Sequence, residues 1–185
     1  MQKLKYYFLL LLFVLSNLSA QGPLSASIYE LYDSSKATAQ TRAAIMNWAQ
    51  KLSHVGVLKN ENGFIYVDVD DAYIHKLVTF LEKEGFEKPP YFGRPGLVGA
   101  HITVIYSYET AKYGIEEIEE CGKKISFKIK ECQIIQPPSW DAEELCLLVI
   151  EAPELNRIRY KYGLPKQKYP FHITIGIKPK MAKCA

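Results

Sequence analysis

Apolar positions along the chain fall into runs of different period. Residues 6–15 form an unbroken apolar stretch, preceded by Lys3 and Lys5 and followed by small and polar residues ending in Ser19-Ala20. Ile45, Trp48, Ala49 and Leu52 recur at helical spacing and predict an amphipathic helix over 37–52. Lys59-Asn60-Glu61-Asn62-Gly63 is turn-rich and leads into FIYVDV at 64–69, whose alternation predicts a half-buried strand. Asp70 or Asp71 can cap the helix that follows, in which Ile74, Leu77, Val78 and Leu81 make one stripe before Gly85 stops it. A loop rich in Pro and Gly over 88–99 precedes a strand, HITVIY, at 101–106.

The same order recurs in the second half. LCLLVI at 145–150 is a buried-strand run, and Pro153 is a good first helical residue. Leu155, Ile158 and Tyr162 form a stripe that Gly163 ends, a loop with prolines covers 164–170, and FHITIGI at 171–177 is a strand. Val67 then matches Val149 and His101 matches His172, with eleven extra residues in the first loop. This duplication predicts an α+β chain of two similar strand-helix-loop-strand lobes, about 55–110 and 124–180. A pseudo-twofold axis would relate them, with antiparallel sheets around a shared central cleft. A hairpin of 125–135 with 145–151, turning at Pro137-Pro138-Ser139-Trp140, would set Cys132 opposite Cys146.

Composition narrows the class. With 48% hydrophobic and 23% charged residues in 185, the chain is an ordinary globular one. Residues 1–20 have the shape of a secretory signal peptide, since ten apolar residues fall short of the roughly 20 that span a bilayer. Cleavage near Ala20 would leave a helical extension over 21–54 and a domain over 55–180, in a secreted or periplasmic protein. It would also lower the formal charge from +3 to +1, so bulk electrostatics give no reason to bind long nucleic acid or membrane. A monomer with no stable membrane association is expected. Export permits disulfides among Cys121, Cys132, Cys146 and Cys184, the alternative being small buried hydrophobes. No C-x2-C spacing favours zinc.

The chemistry lies in two nearly identical pentapeptides, AHITV at 100–104 and FHITI at 171–175. Side chains alternate along a strand, so His101 and Thr103, like His172 and Thr174, project from one face while the isoleucines and valine pack on the other. Two imidazoles and two hydroxyls would surround a central phosphorus. One neutral histidine can take a proton from the attacking water, and one protonated histidine can give a proton to the leaving oxygen. The hydroxyls can hydrogen-bond the non-bridging oxygens as charge builds up. No metal or other cofactor is required. The run Glu116-Glu117 and Glu119-Glu120 reads as a solvated helix face. His75 lies off the apolar stripe and reads as a solvated surface residue, and His54 suits a helix end.

The paired His-x-Thr-hydrophobic motifs in a duplicated chain of this size resemble the two-histidine (2H) phosphoesterase superfamily, which includes RNA cyclic phosphodiesterases and 2′-5′ RNA ligases. The exported, compact form is most similar to its Swiss Army Knife group. The resemblance covers about residues 55–180. It implies a bilobal 2H phosphoesterase-like fold and metal-independent action on a 2′,3′-cyclic or 2′-5′ phosphodiester of a small nucleotide or RNA end. It implies catalytic roles for His101, Thr103, His172 and Thr174, with His172 as base and His101 as acid. Further substrate-binding candidates are Arg94 and Lys178 for phosphate and Tyr91, Phe92 and Tyr169 for stacking on a base. Gly176 would leave room for the ligand. The rival readings are an RNA-end ligase of the same superfamily and a nucleotide-binding module without turnover.

Overall fold

Asn62 and Gly63 both take positive φ, 53° and 82°, the pair of left-handed residues that a two-residue antiparallel turn demands. They join β1 (Val55–Glu61) to β2 (Phe64–Asp68), with Glu61 opposite Phe64. The turn is therefore two residues long. Lys59, Asn60 and Glu61, expected in the turn, belong to a strand whose polar side chains are exposed. The computed structural model describes residues 39–90, 97–138 and 142–180, all within one compact unit, Tyr32–Ala185. The apolar segment at 6–15 and the cleavage expected near Ala20 lie outside these residues. Among the described residues no helix is long and apolar enough to cross a membrane.

Helix α1 (Ala39–Ala49) precedes β1, and α2 (Ala72–His75) follows β2. Next come β3 (His101–Ile105), α3 (Ser107–Tyr113), β4 (Lys124–Ser126) and β5 (Lys128–Ile135). The chain closes with β6 (Ala142–Glu151), α4 (Pro153–Lys161) and β7 (His172–Pro179). One antiparallel sheet has the order β3-β2-β1-β4 and the other β5-β6-β7. The architecture is α+β.

The apolar stripes fall where the period places them, with two corrections. Ile74, Leu77, Val78 and Leu81 are all buried, but the helix does not run through them. After α2 the chain continues as 3-10 turns at Val78–Phe80 and Glu82–Glu84, because β-branched Val78 and Thr79 crowd the helix and the Thr79 hydroxyl donates to the Lys76 carbonyl at 2.7 Å. In α1, Ile45 and Ala49 are buried while Trp48 turns outward, with Lys51 Nζ 5.1 Å from its ring centroid. Of the two expected caps, Asp70 binds the start of α2, whereas Asp71, at the N-cap position, makes no side-chain bond to the helix. Asp70 accepts from the Ala72 N–H at 2.8 Å, and Asp71 accepts from the Ala100 N–H at 2.9 Å, tying the start of α2 to the residue before His101.

The acidic run at 116–120 is not a solvated helix face. It lies in coil and turns, and Glu120 is buried, accepting from Lys161 Nζ at 2.6 Å and the Tyr162 hydroxyl at 2.9 Å. In the β5–β6 hairpin Cys132 faces Leu148 and Cys146 faces Ile134, so the two cysteines sit diagonally rather than opposite each other. Both are buried free thiols with sulfurs 3.6 Å apart, and Cys121 is an exposed one. Cys184 lies outside the described residues.

Packing between the halves is reciprocal. Helix α2 packs on β7, α4 packs on β3, and β3 and β7 approach each other. Glu87, beyond α2, exchanges two backbone hydrogen bonds with Ile177 of β7 at 2.8 and 2.9 Å. From α4, Arg159 reaches the Val104 carbonyl of β3 at 2.7 Å, with 1% of its surface exposed.

Candidate active site

His101 and His172 each occupy the first position of their strands, and each is held in the same way. Nδ1 of His101 lies 2.8 Å from the Gly99 carbonyl oxygen, and Nδ1 of His172 lies 2.8 Å from that of Pro170. A carbonyl can only accept, so Nδ1 donates in both rings and Nε2 is the lone-pair nitrogen of the neutral imidazole. The loops before the strands make this possible. Gly99 carries no Cβ, and one built there would overlap the Asp71 carboxylate, so a larger residue would have to displace that side chain.

Ile102, Val104, Ile173 and Ile175 are fully buried, whereas His101, Thr103 and His172 are half-buried and Thr174 is buried. The burial alternates through the first pentapeptide, whereas in the second Thr174 is buried along with both isoleucines. Among the described residues no hydrogen bond engages either threonine hydroxyl. Burial pushes both imidazoles below the ordinary histidine value, and the carbonyl partner offsets part of this in each. Their remaining surroundings act in opposite directions. Asp68 pulls His101 up, and the charge of His101 pushes His172 down. The two rings are thus close enough to sense each other, and a state with one imidazolium and one imidazole is favoured over two imidazoliums.

Aromatic side chains wall the His101 side. Phe64 and Tyr66 meet its ring edge-on, at centroid distances of 5.7 and 5.8 Å, and stack on each other at 5.2 Å. Tyr106 continues from Phe64 at 6.4 Å, and exposed Tyr108 stacks on Tyr106 at 5.4 Å. Beyond Tyr66 an open groove of about 540 Å3 runs along β1 past Lys59, Asn60 and Glu61 to Gly122.

Of the further candidates, Gly176 and Lys178 do not serve as expected. The space over Gly176 is filled by Leu81 and Phe86, both within 3.4 Å of a Cβ built there. Lys178 is held by Glu144 at 3.4 Å and Glu143 at 3.7 Å, so its charge is already met by two carboxylates. Tyr169 is half-buried, with Lys168 Nζ 5.1 Å from its ring centroid, and it lies near enough to Tyr106 to influence its titration. Arg94, Tyr91 and Phe92 lie outside the described residues. His54 accepts its expected place at a helix end, with Nε2 3.2 Å from the Ala49 carbonyl. His75 is exposed, its Nδ1 3.0 Å from Lys88 Nζ.

The sequence reading missed Phe64, Tyr66 and Asp68. Their signal was present: they alternate in sequence with Ile65 and Val67, so they share the other face of β2. It also paired Val67 with Val149, whereas the strand pairing sets Asp68 opposite His101 and Val149 opposite His172, a shift of one position that moves the counterpart to the other face of β2.

No curated protein and no solved structure matches the chain. A family does: residues 65–182, holding both His-x-Thr strands, match Swiss Army Knife, 2H phosphoesterase domain. The match spans well over half of the chain, and the chain belongs to the 2H phosphoesterases.

Proposed function

We propose that the protein is a metal-independent phosphodiesterase that hydrolyses a 2′,3′-cyclic or 2′-5′ phosphodiester of a nucleotide or RNA end. The observation that carries this reading is the matched pair of imidazoles, each with Nδ1 donating to the carbonyl two residues earlier. That arrangement leaves Nε2 of both rings to exchange protons with substrate. In the reaction His172 takes a proton from water as its oxygen bonds to phosphorus. His101, as the imidazolium, gives its Nε2 proton to the leaving ribose oxygen as the phosphorus–oxygen bond breaks. Thr103 and Thr174 donate to the non-bridging oxygens. Each turnover leaves His172 charged and His101 neutral, and proton exchange with solvent resets the pair. The aromatic wall of Phe64, Tyr66, Tyr106 and Tyr108 supports a substrate with a base to stack. The motif strands would face each other across a cleft between two pseudo-twofold lobes. Residues 1–20 support export, with action as a secreted or periplasmic monomer.

The test is turnover by the full-length protein in EDTA on nucleoside 2′,3′-cyclic monophosphates, 2′-5′ oligoadenylate and ADP-ribose 1″,2″-cyclic phosphate. The His101→Ala/His172→Ala variant should lose at least about a thousandfold in rate with an unchanged circular dichroism spectrum. Equal turnover by the variant would sink the two-histidine mechanism. Joined rather than hydrolysed ends would make the protein a ligase.

A further inference from the structure

We propose that Asp68 is a positioning residue that makes His101, and not His172, the proton donor of the pair. The inference rests on the acid–base reading above and concerns what breaks the equivalence of two otherwise matched motifs. Each imidazole opens a strand, follows a proline-bearing or glycine-bearing loop, and is bound through Nδ1 to a carbonyl at 2.8 Å. The difference lies across the strand. Asp68 of β2 is the direct partner of His101, and Val149 of β6 is the direct partner of His172. Directly opposed residues of an antiparallel pair point to the same face, with Cβ atoms about 5 Å apart.

Among the described residues, the other groups named around His101 do not cancel this. From β2, Phe64 and Tyr66 present ring edges, and Tyr66 donates its hydroxyl to Glu61 at 3.3 Å. From β1, Lys59 binds the Asp68 carboxylate at 2.6 Å, which weakens its field without abolishing it, since both side chains are more than a third exposed. From α4, Arg159 meets β3 at a backbone carbonyl and spends its charge on Glu109. From β7 comes His172 itself. Around His172 the cross-strand place is apolar, and the charge it senses is the positive one of His101. A carboxylate beside one imidazole favours its protonation, and that imidazolium then disfavours a second positive charge on its neighbour. The motifs thereby become acid and base through one cross-strand residue, without any change in the motifs themselves.

Histidine ring signals of the full-length protein, assigned with single histidine variants and titrated by NMR, test this without relying on activity. In Asp68→Asn the His101 midpoint should fall by about half a pH unit, while that of His172 does not fall with it. In Lys59→Met the His101 midpoint should rise, because the carboxylate loses its counter-charge. In turnover assays the alkaline limb of the kcat profile should follow His101 in both variants. An unmoved His101 in Asp68→Asn, or a fall shared equally by both rings, overturns the proposal. Both shifts in a protein that cleaves no phosphodiester would overturn the phosphodiesterase reading and with it the donor role, leaving the electrostatic pairing established.

Discussion

Arg159 and Glu109 form a two-pronged ion pair, Nη2 to Oε1 at 2.7 Å and Nη1 to Oε2 at 3.1 Å, where α4 meets the end of β3. The same guanidinium donates to the Val104 and Pro165 carbonyls, and Glu109 also accepts from the Tyr106 N–H at 3.0 Å, capping α3. One buried cation thus satisfies a helix, a strand and a loop.

Arg159→Met should therefore destabilise the protein by about 3–5 kcal/mol, since it leaves a carboxylate and two carbonyls without their donor. The loss should shrink in acid. Burial alone would raise the Glu109 carboxyl, but hydrogen bonding and charge from Arg159 override it and hold it below the usual 4.5. Its contribution is then complete above the unfolded value and disappears as pH falls through the folded one. Thermal melts of both proteins from pH 7 to pH 3 would show the gap; a constant gap across that range would refute the pairing as its source.

The pH profile of kcat/KM should be a bell displaced to the acid side. His172 must be neutral, so its protonation shapes the acid limb, and His101 must be charged, so its deprotonation shapes the alkaline limb. Burial lowers both from 6.5, and the limbs report apparent values of the coupled pair. The optimum should accordingly lie below pH 6.5. An optimum at pH 8 would show that burial does not govern these rings.

Gly99→Ala should impair catalysis more than its size suggests. The new methyl must displace the Asp71 carboxylate, which breaks the bond to the Ala100 N–H and shifts the carbonyl that orients His101. The cost to folding should be about 1–3 kcal/mol, with kcat falling while KM changes little. Wild-type kcat in a destabilised variant would mean that His101 is oriented by something other than the Gly99 carbonyl.

The His-x-Thr strands were legible because their information is local: a two-residue alternation decides which side chains face the core, and the buried isoleucines obey it. The stripe at 74–81 was legible for the same reason, although the crowding of Val78 and Thr79 that breaks the helix was not. Helix α3 gave no signal, since it is seven residues long and its cap is Tyr106 working with Glu109 rather than a serine or aspartate. Arg159 reads as a solvated helix charge until Glu109, 50 residues away, is placed beside it. Gly176 has the parity of His172 by count alone, but the register shift between Cys146 and Leu147 sets it opposite Cys146, on the other face of β7 from Thr174, where Leu81 and Phe86 cover it. The diagonal cysteines reflect a hairpin whose pairing is centred on position 140, one residue beyond the 139 that the proline-rich turn suggested.

Helix α2, which precedes the first motif, backs the strand of the second, and α4, which precedes the second motif, backs the strand of the first. Cutting the chain between β3 and β5 would leave each fragment with a motif strand whose supporting helix is on the other fragment. Neither piece could retain half of the activity, and mixing the two could restore it only by rebuilding both contacts together. A chain that looks duplicated in sequence is in this respect indivisible, because each motif strand is backed by a helix from the other half of the sequence.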